Sequence, residues 1–171
     1  MKRLIPFLLI ITACNSTDKG TPTEQYYPIS INKQIDNFSA RFNANKISKT
    51  VFQDGTLERK EISIDQVLKD INSFKEFDIN KPAWKNSYKA SKSENHIRFE
   101  TAENKLSLKY IDVYGAVENP SKICIYFQNN NNLYYSSKYI IWDLKHSYSI
   151  YSIQDVKGMD ADTIFIKSTW N

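Results

Sequence analysis

The sequence predicts an α+β fold, with one or two amino-terminal helices packed on a curved antiparallel sheet of five or six meandering strands. Three observations predict it. Apolar residues recur at helical spacing in the first half of the chain, the period becomes strand-like from His96 onward, and no helical segment separates the later strands. Helices first and strands afterwards is the order that places helices on one face of an antiparallel sheet.

The clearest helical pattern is SIDQVLKDINSFKEF, where Ile64, Val67, Leu68, Ile71, Phe74 and Phe77 share one face. Ser63 is a good N-cap, Gln66 completes a capping box three residues later, and Ile62 can staple onto Val67. The helix should end before Pro82, because proline disfavours helical geometry at the residue before it. Upstream, Ile35, Phe38 and Phe42 suggest a first helix. Asp54-Gly55 is a turn dipeptide between short alternating runs, compatible with a small hairpin or an irregular link.

Strand-like alternation then runs through ENHIRFET, KLSLKYIDVYG, SKICIYFQN, LYYSSKYIIWDL, YSIYSIQDV and DTIFIKSTW. Asn129 to Asn132 and Asp143 to Ser147 supply polar turns between them. The helices can cover only one face of such a sheet. The other face meets solvent, curls into a barrel or forms a pocket, and the pattern does not choose among these.

The beginning of the chain carries a different message. Lys2 and Arg3 precede an apolar run from Leu4 to Ile11, which is too short to span a bilayer, and Ala13 sits directly before Cys14. Ile11-Thr12-Ala13-Cys14 resembles the lipobox of bacterial lipoproteins. The resemblance implies that residues 1–13 are a signal peptide that is removed, and that Cys14 receives a diacylglyceryl group and then an amino-terminal acyl chain such as palmitate. Two or more acyl chains anchor stably where one would not, since each buried methylene contributes about 0.8 kcal/mol. Asn15 follows the cysteine, where an Asp would resemble an inner-membrane retention signal, so the outer membrane is preferred. The expected setting is the cell envelope, on its periplasmic or its surface side. Residues 14–25 are then the lipidated cysteine and a polar tether, and residues 26–171 a single domain.

About 145 residues suffice for one compact core and leave too little for a second. The whole chain carries +4, and loss of Lys2 and Arg3 with the signal lowers this to +2. Lys and Glu are interspersed without a basic block, which disfavours nucleic acid as a partner. With Cys14 lipidated, Cys124 has no disulfide partner, and its place between Ile123 and Ile125 suits a buried thiol.

No constellation for chemistry stands out. His96 and His146 lack a metal-binding partner at a usable interval, and neither a phosphate-cradling glycine loop nor a nucleophile elbow occurs. No cofactor is implied. Glu58 and Glu61 lie in a charged stretch before the helix, while Asp112, Asp143 and Asp155 fall at or near strand ends, where a glycan hydrolase could place its pair of acids. The expectation is a non-enzymatic domain that binds an envelope protein or a small ligand. An envelope hydrolase or an inhibitor-type binder are the alternatives.

Aromatic residues are the compositional excess that points to binding. Tyr134, Tyr135, Tyr139, Trp142, Tyr148 and Tyr151 cluster in two adjacent strands, with Tyr135 and Tyr139 on one face and Tyr134 and Trp142 on the other. Asp78 to Tyr88, together with Leu133-Tyr134-Tyr135-Ser136-Ser137, resemble small lipoproteins of Bacteroidota. That resemblance implies one domain in a bacterial envelope and brings no activity with it.

Overall fold

The computed structural model describes residues 25–171. The expected signal peptide, Cys14 and the expected tether up to residue 24 lie outside the described residues. Within them the chain forms α1 (Ile31–Arg41), β1 (Ile47–Gln53), β2 (Thr56–Glu61), α2 (Ile64–Asn72), β3 (Lys89–Lys92), β4 (His96–Glu100), β5 (Leu108–Ala116), β6 (Asn119–Asn130), β7 (Tyr134–Asp143), β8 (Ser147–Val156) and β9 (Asp162–Trp170). One nine-stranded sheet runs in the order β2-β1-β9-β8-β7-β6-β5-β4-β3. Every neighbouring pair is antiparallel. The sheet does not close, and no helix among the described residues is long and apolar enough to cross a membrane.

The α+β architecture matches the sequence expectation, but five or six strands becomes nine. The expected runs are β4 to β9. The additions are β3, a short charged KASK segment with no apolar alternation to reveal it, and the β1–β2 hairpin. Asp54 and Gly55 both have positive φ, 51° and 74°, which is the primed turn that a tight antiparallel hairpin requires. That hairpin returns to pair β1 with β9, so the first strand extends the meander from its far end.

The second helix also differs in extent. Ser63 accepts from the Gln66 N–H and the Gln66 side chain accepts from the Ser63 N–H, the capping box expected from the sequence. The α-helix ends at Asn72, and Ser73–Phe77 continues as a 3₁₀ turn. At the break, Ser73 Oγ donates to the Asp70 carbonyl, a local bond that competes with continued helix. The tighter winding sets Phe74 and Phe77 three residues apart on one side, and both are buried.

One face of the sheet carries the core. Ile111 and Val113, Ile123 and Ile125, Ile140 and Trp142, and Tyr148 are all buried beneath the helices. Phe38 of α1 and Phe74 both meet the Trp142 ring edge-on, at 5.4 and 6.0 Å. Phe77 packs on Phe127 at 5.9 Å. A polar network pins α2 to the strands: Asp70 accepts from Lys49 at 2.6 Å and from the Tyr148 hydroxyl, and Ser168 donates to that hydroxyl at 2.9 Å.

The Asp78–Tyr88 stretch works as a clamp on the start of the domain. Asn80 Oδ1 accepts from the Tyr26 and Tyr27 N–H groups, both at 2.8 Å, and its Nδ2 donates to the Ile29 carbonyl at 2.5 Å. Asp78 Oδ2 accepts from Ser30 Oγ at 2.9 Å and from the Asn32 N–H at 2.8 Å. The first turn of α1 contains no acid of its own, so Asp78 supplies the negative charge that a helix amino terminus favours. Tyr27 completes the clamp by donating to the Trp84 carbonyl at 2.7 Å and packing edge-on against Phe99, which fixes the domain's start on the helix-covered side.

Candidate functional site

Side chains alternate across a strand, so the residues between the core positions point to the other face. On that face the strand registers align one residue from each of seven adjacent strands into a row. Tyr110 of β5 pairs with Tyr126 of β6, Tyr126 with Tyr139 of β7, and Tyr139 with Tyr151 of β8. The row continues from Tyr151 to Phe165 of β9, from Phe165 to Phe52 of β1, and from Phe52 to Leu57 of β2. Six aromatic rings therefore cross six strands in succession. At the usual spacing between strands, five steps extend about 24 Å.

The two ends of the row differ. Toward β4 the face is tied together by its own groups. Arg98 donates to both oxygens of Asp112, at 2.7 Å each, and its guanidinium lies 4.1 Å from the centre of the Tyr110 ring. Asp112 holds the Arg98 pKa above its ordinary value through that bidentate bond. His96 stacks on Tyr114 at 5.1 Å, and Lys122 lies 3.9 Å over the same ring. Tyr110 and Tyr126 are 5.3 Å apart, and Tyr126 and Tyr139 6.5 Å.

Toward β2 the face opens. Tyr151 is 44% exposed, Phe52 42%, Leu57 64% and Ile141 37%. Alternation and register place all four on this face. The remaining exposed large apolar residues, Leu133, Val156 and Met159, sit at hairpin ends. Every helix contact described above lies on the opposite face, so no helix among the described residues covers the row.

The sequence-predicted aromatic residues divide between the two faces. Tyr135, Tyr139 and Tyr151 stand on the uncovered face. Trp142 and Tyr148 are fully buried in the core, where no ligand on the open face reaches them, and Tyr134 points to the helix side at the end of β7. The indole N–H of Trp142 is buried without an acceptor, a group that belongs to packing rather than to a surface. Sequence reasoning missed Tyr110, Tyr126, Phe165, Phe52 and Leu57. The signal that finds them is cross-strand register, since within any one strand the row contributes a single residue.

Several of the side chains considered for chemistry are engaged elsewhere. Both oxygens of Asp112 are held by Arg98, and Asp143 Oδ1 accepts from the Lys145 and His146 N–H groups to close the β7–β8 turn. Asp155 is exposed on β8 beside Tyr135. Glu61 pairs with Lys46 at 2.9 Å, and Glu58 lies on the opposite face of β2. Cys124 is buried between Asp112 and Ile141, and burial pushes its thiol pKa up, which keeps it protonated. Among the described residues no three His, Cys, Asp or Glu side chains converge as metal ligands.

Two concavities lie away from the row. A groove of about 540 Å³ runs between the end of α1 and the β5–β6 and β7–β8 turns, with Phe42, Leu144 and Trp170 in its walls. A cleft of about 350 Å³ lies beside Phe77, Trp84 and Phe127 on the helix side. Their walls belong to the packing of the helices on the sheet.

The fold and its uncovered row define a class: a two-layer α+β domain with helices on one sheet face and an exposed aromatic strip on the other. No protein-family model, no curated protein and no solved structure matches the chain.

Proposed function

We propose that this chain is a lipid-anchored lipoprotein of the bacterial cell envelope, held at the membrane through Cys14, whose uncovered sheet face captures an envelope partner without chemical turnover. The observation that carries the reading is the aromatic row. Cross-strand aromatic pairs stabilise a sheet, but a structural role alone does not call for Tyr151, Phe52, Leu57 and Ile141 to stay open to solvent on one face. Both sheet edges are blunted, β2 by the four charged residues of TLERKE and β3 by its brevity and two lysines, which leaves the face as the surface suited to recognition. The clamped start of the domain lies on the helix-covered side, away from the row.

A hydrolase reading draws less support, because both oxygens of Asp112 are held by Arg98 and Asp143 Oδ1 closes a turn. An inhibitor-type role differs from the proposal only in the identity of the partner.

A photo-crosslinking amino acid at Tyr151 tests the reading in living cells, with the same group at exposed Lys69 of α2 as the control. The expected result is a discrete adduct from position 151 and none from position 69. Equal labelling at both positions, or none at either, overturns the proposal.

A further inference from the structure

Taking the uncovered face as the capture surface, and resting on that reading, we infer that its partner is a second copy of this chain, related by a two-fold axis that runs along the aromatic row.

The whole face, with the registers beside the row, has the size of a protein interface. From β2 to β6 it spans five strand steps, about 24 Å. Along β7 and β8 it runs from Asp143 and Ser147 at one end to Tyr135 and Asp155 at the other, four two-residue steps or about 27 Å. The product, about 650 Å² per copy and about 1,300 Å² for a pair, falls in the range of specific protein interfaces.

The two halves of the face differ in what they still need. Toward β4, Tyr110 lies under the Arg98 guanidinium and Tyr126 meets Tyr139 edge-on, so this half is satisfied within the chain. Toward β2, exposed Leu57, Phe52, Tyr151 and Ile141 adjoin half-buried Phe165 and Ile153, and no element among the described residues covers them.

Charge selects the occupant and its orientation. One flank of the open half carries Arg59 of β2 and Lys167 of β9, with Thr50 between them. The opposite flank carries Asp54 in the β1–β2 turn and Asp155 near the end of β8. All four are exposed, and none forms an ion pair among the described residues. The neighbouring charges do not alter this pattern. Glu61 pairs with Lys46, Asp143 Oδ1 is held by the N–H groups of its own turn, and Lys157 and Asp160 offset one another between β8 and β9. The face is therefore apolar along its middle, positive on one side and negative on the other.

A bilayer surface or a polyanion would meet Asp54 and Asp155 with like charge. Pairing two copies face to face about the row axis exchanges the flanks, so Arg59 and Lys167 of each copy come to the acidic flank of the other. An axis along the strands would instead set cations on cations. The row axis also keeps the strands of the two sheets aligned, the packing of a β-sandwich, in which side chains interdigitate across about 10 Å.

The test uses the full chain in cells, as two co-expressed copies with different epitope tags, one of them bearing the photo-crosslinking group at Tyr151. The expected product has twice the mass of the chain and carries both tags. Arg59→Glu with Lys167→Glu makes both flanks acidic. Asp54→Asn with Asp155→Lys makes both basic, and Asn tolerates the positive φ at position 54. When both copies carry the same pair of changes, the product should fall about tenfold. When one copy carries the first pair and the other the second, it should return, and protease resistance confirms that each variant folds. A doubly tagged product that neither pair weakens overturns the inference, and so does a loss that the mixed combination fails to restore. An adduct with a different protein removes the second copy and leaves the capture surface standing, whereas no adduct removes both.

Discussion

At the residue scale, Asn80 and Tyr148 show how single polar side chains fix large pieces of this molecule. Asn80 satisfies two backbone N–H groups and one carbonyl at the start of the domain. Asn80→Ala should therefore cost about 2–3 kcal/mol in urea unfolding, because the groups left behind are largely out of water. Tyr148→Phe removes the hydroxyl that joins Asp70 to Ser168, for about 1–2 kcal/mol. The same hydroxyl predicts a pH dependence. Burial first, and the Asp70 bond second, raise its pKa above the usual value. The unfolded chain releases that proton near pH 10 while the folded chain keeps it, so the contribution is complete below about pH 10 and is lost as pH rises beyond it. Urea midpoints followed upward from about pH 8 should fall more steeply for the native chain than for Tyr148→Phe. Neither residue's role was open to the sequence. Asn80 is legible only as part of the DINKPAW stretch, and Tyr148 reads as a member of the candidate binding cluster until register puts it beside Trp142 in the core.

At the element scale, period and capping were sufficient where they were strong. α2 begins at the capping box that Ser63 and Gln66 spell out, and the runs from His96 onward became six strands. The misses have physical causes. β3 is four residues of charge and small side chains, held by its pairing with β4 rather than by any preference of its own. The β1–β2 hairpin depends on two consecutive positive-φ residues, and the dipeptide alone left an irregular link open. Gly55→Ala tests that turn. A Cβ there meets nothing within 4 Å, so the cost, about 1 kcal/mol, is purely that of the left-handed backbone. Faster amide exchange confined to β1 and β2, with β5 to β7 unchanged, is the expected signature.

At the scale of the whole molecule, the decisive property is that one sheet has two unlike faces. The sequence revealed the two parities within each strand, and it placed Tyr135 with Tyr139 correctly on one side. It could not align one strand with the next. The candidate site was therefore legible as an excess of aromatics in two strands, and invisible as a row through six. Trp142 and Tyr148 entered the candidate set because aromatic density does not distinguish a core from a platform. The proposed anchor belongs to this scale too. Cys14→Ala should abolish fatty-acid labelling and release the protein from the membrane fraction, and labelling that persists would remove the anchor. The central claim, that the uncovered face is occupied where the protein works, is tested most directly by hydroxyl-radical footprinting of the same chain in intact cells and after purification. Tyr151, Phe52 and Leu57 report on the face, and Leu133 and Met159, exposed at the hairpin ends, serve as internal references. The account predicts that the three face residues are protected in cells while the references are not. Equal modification of all five in cells and in the purified protein would contradict it.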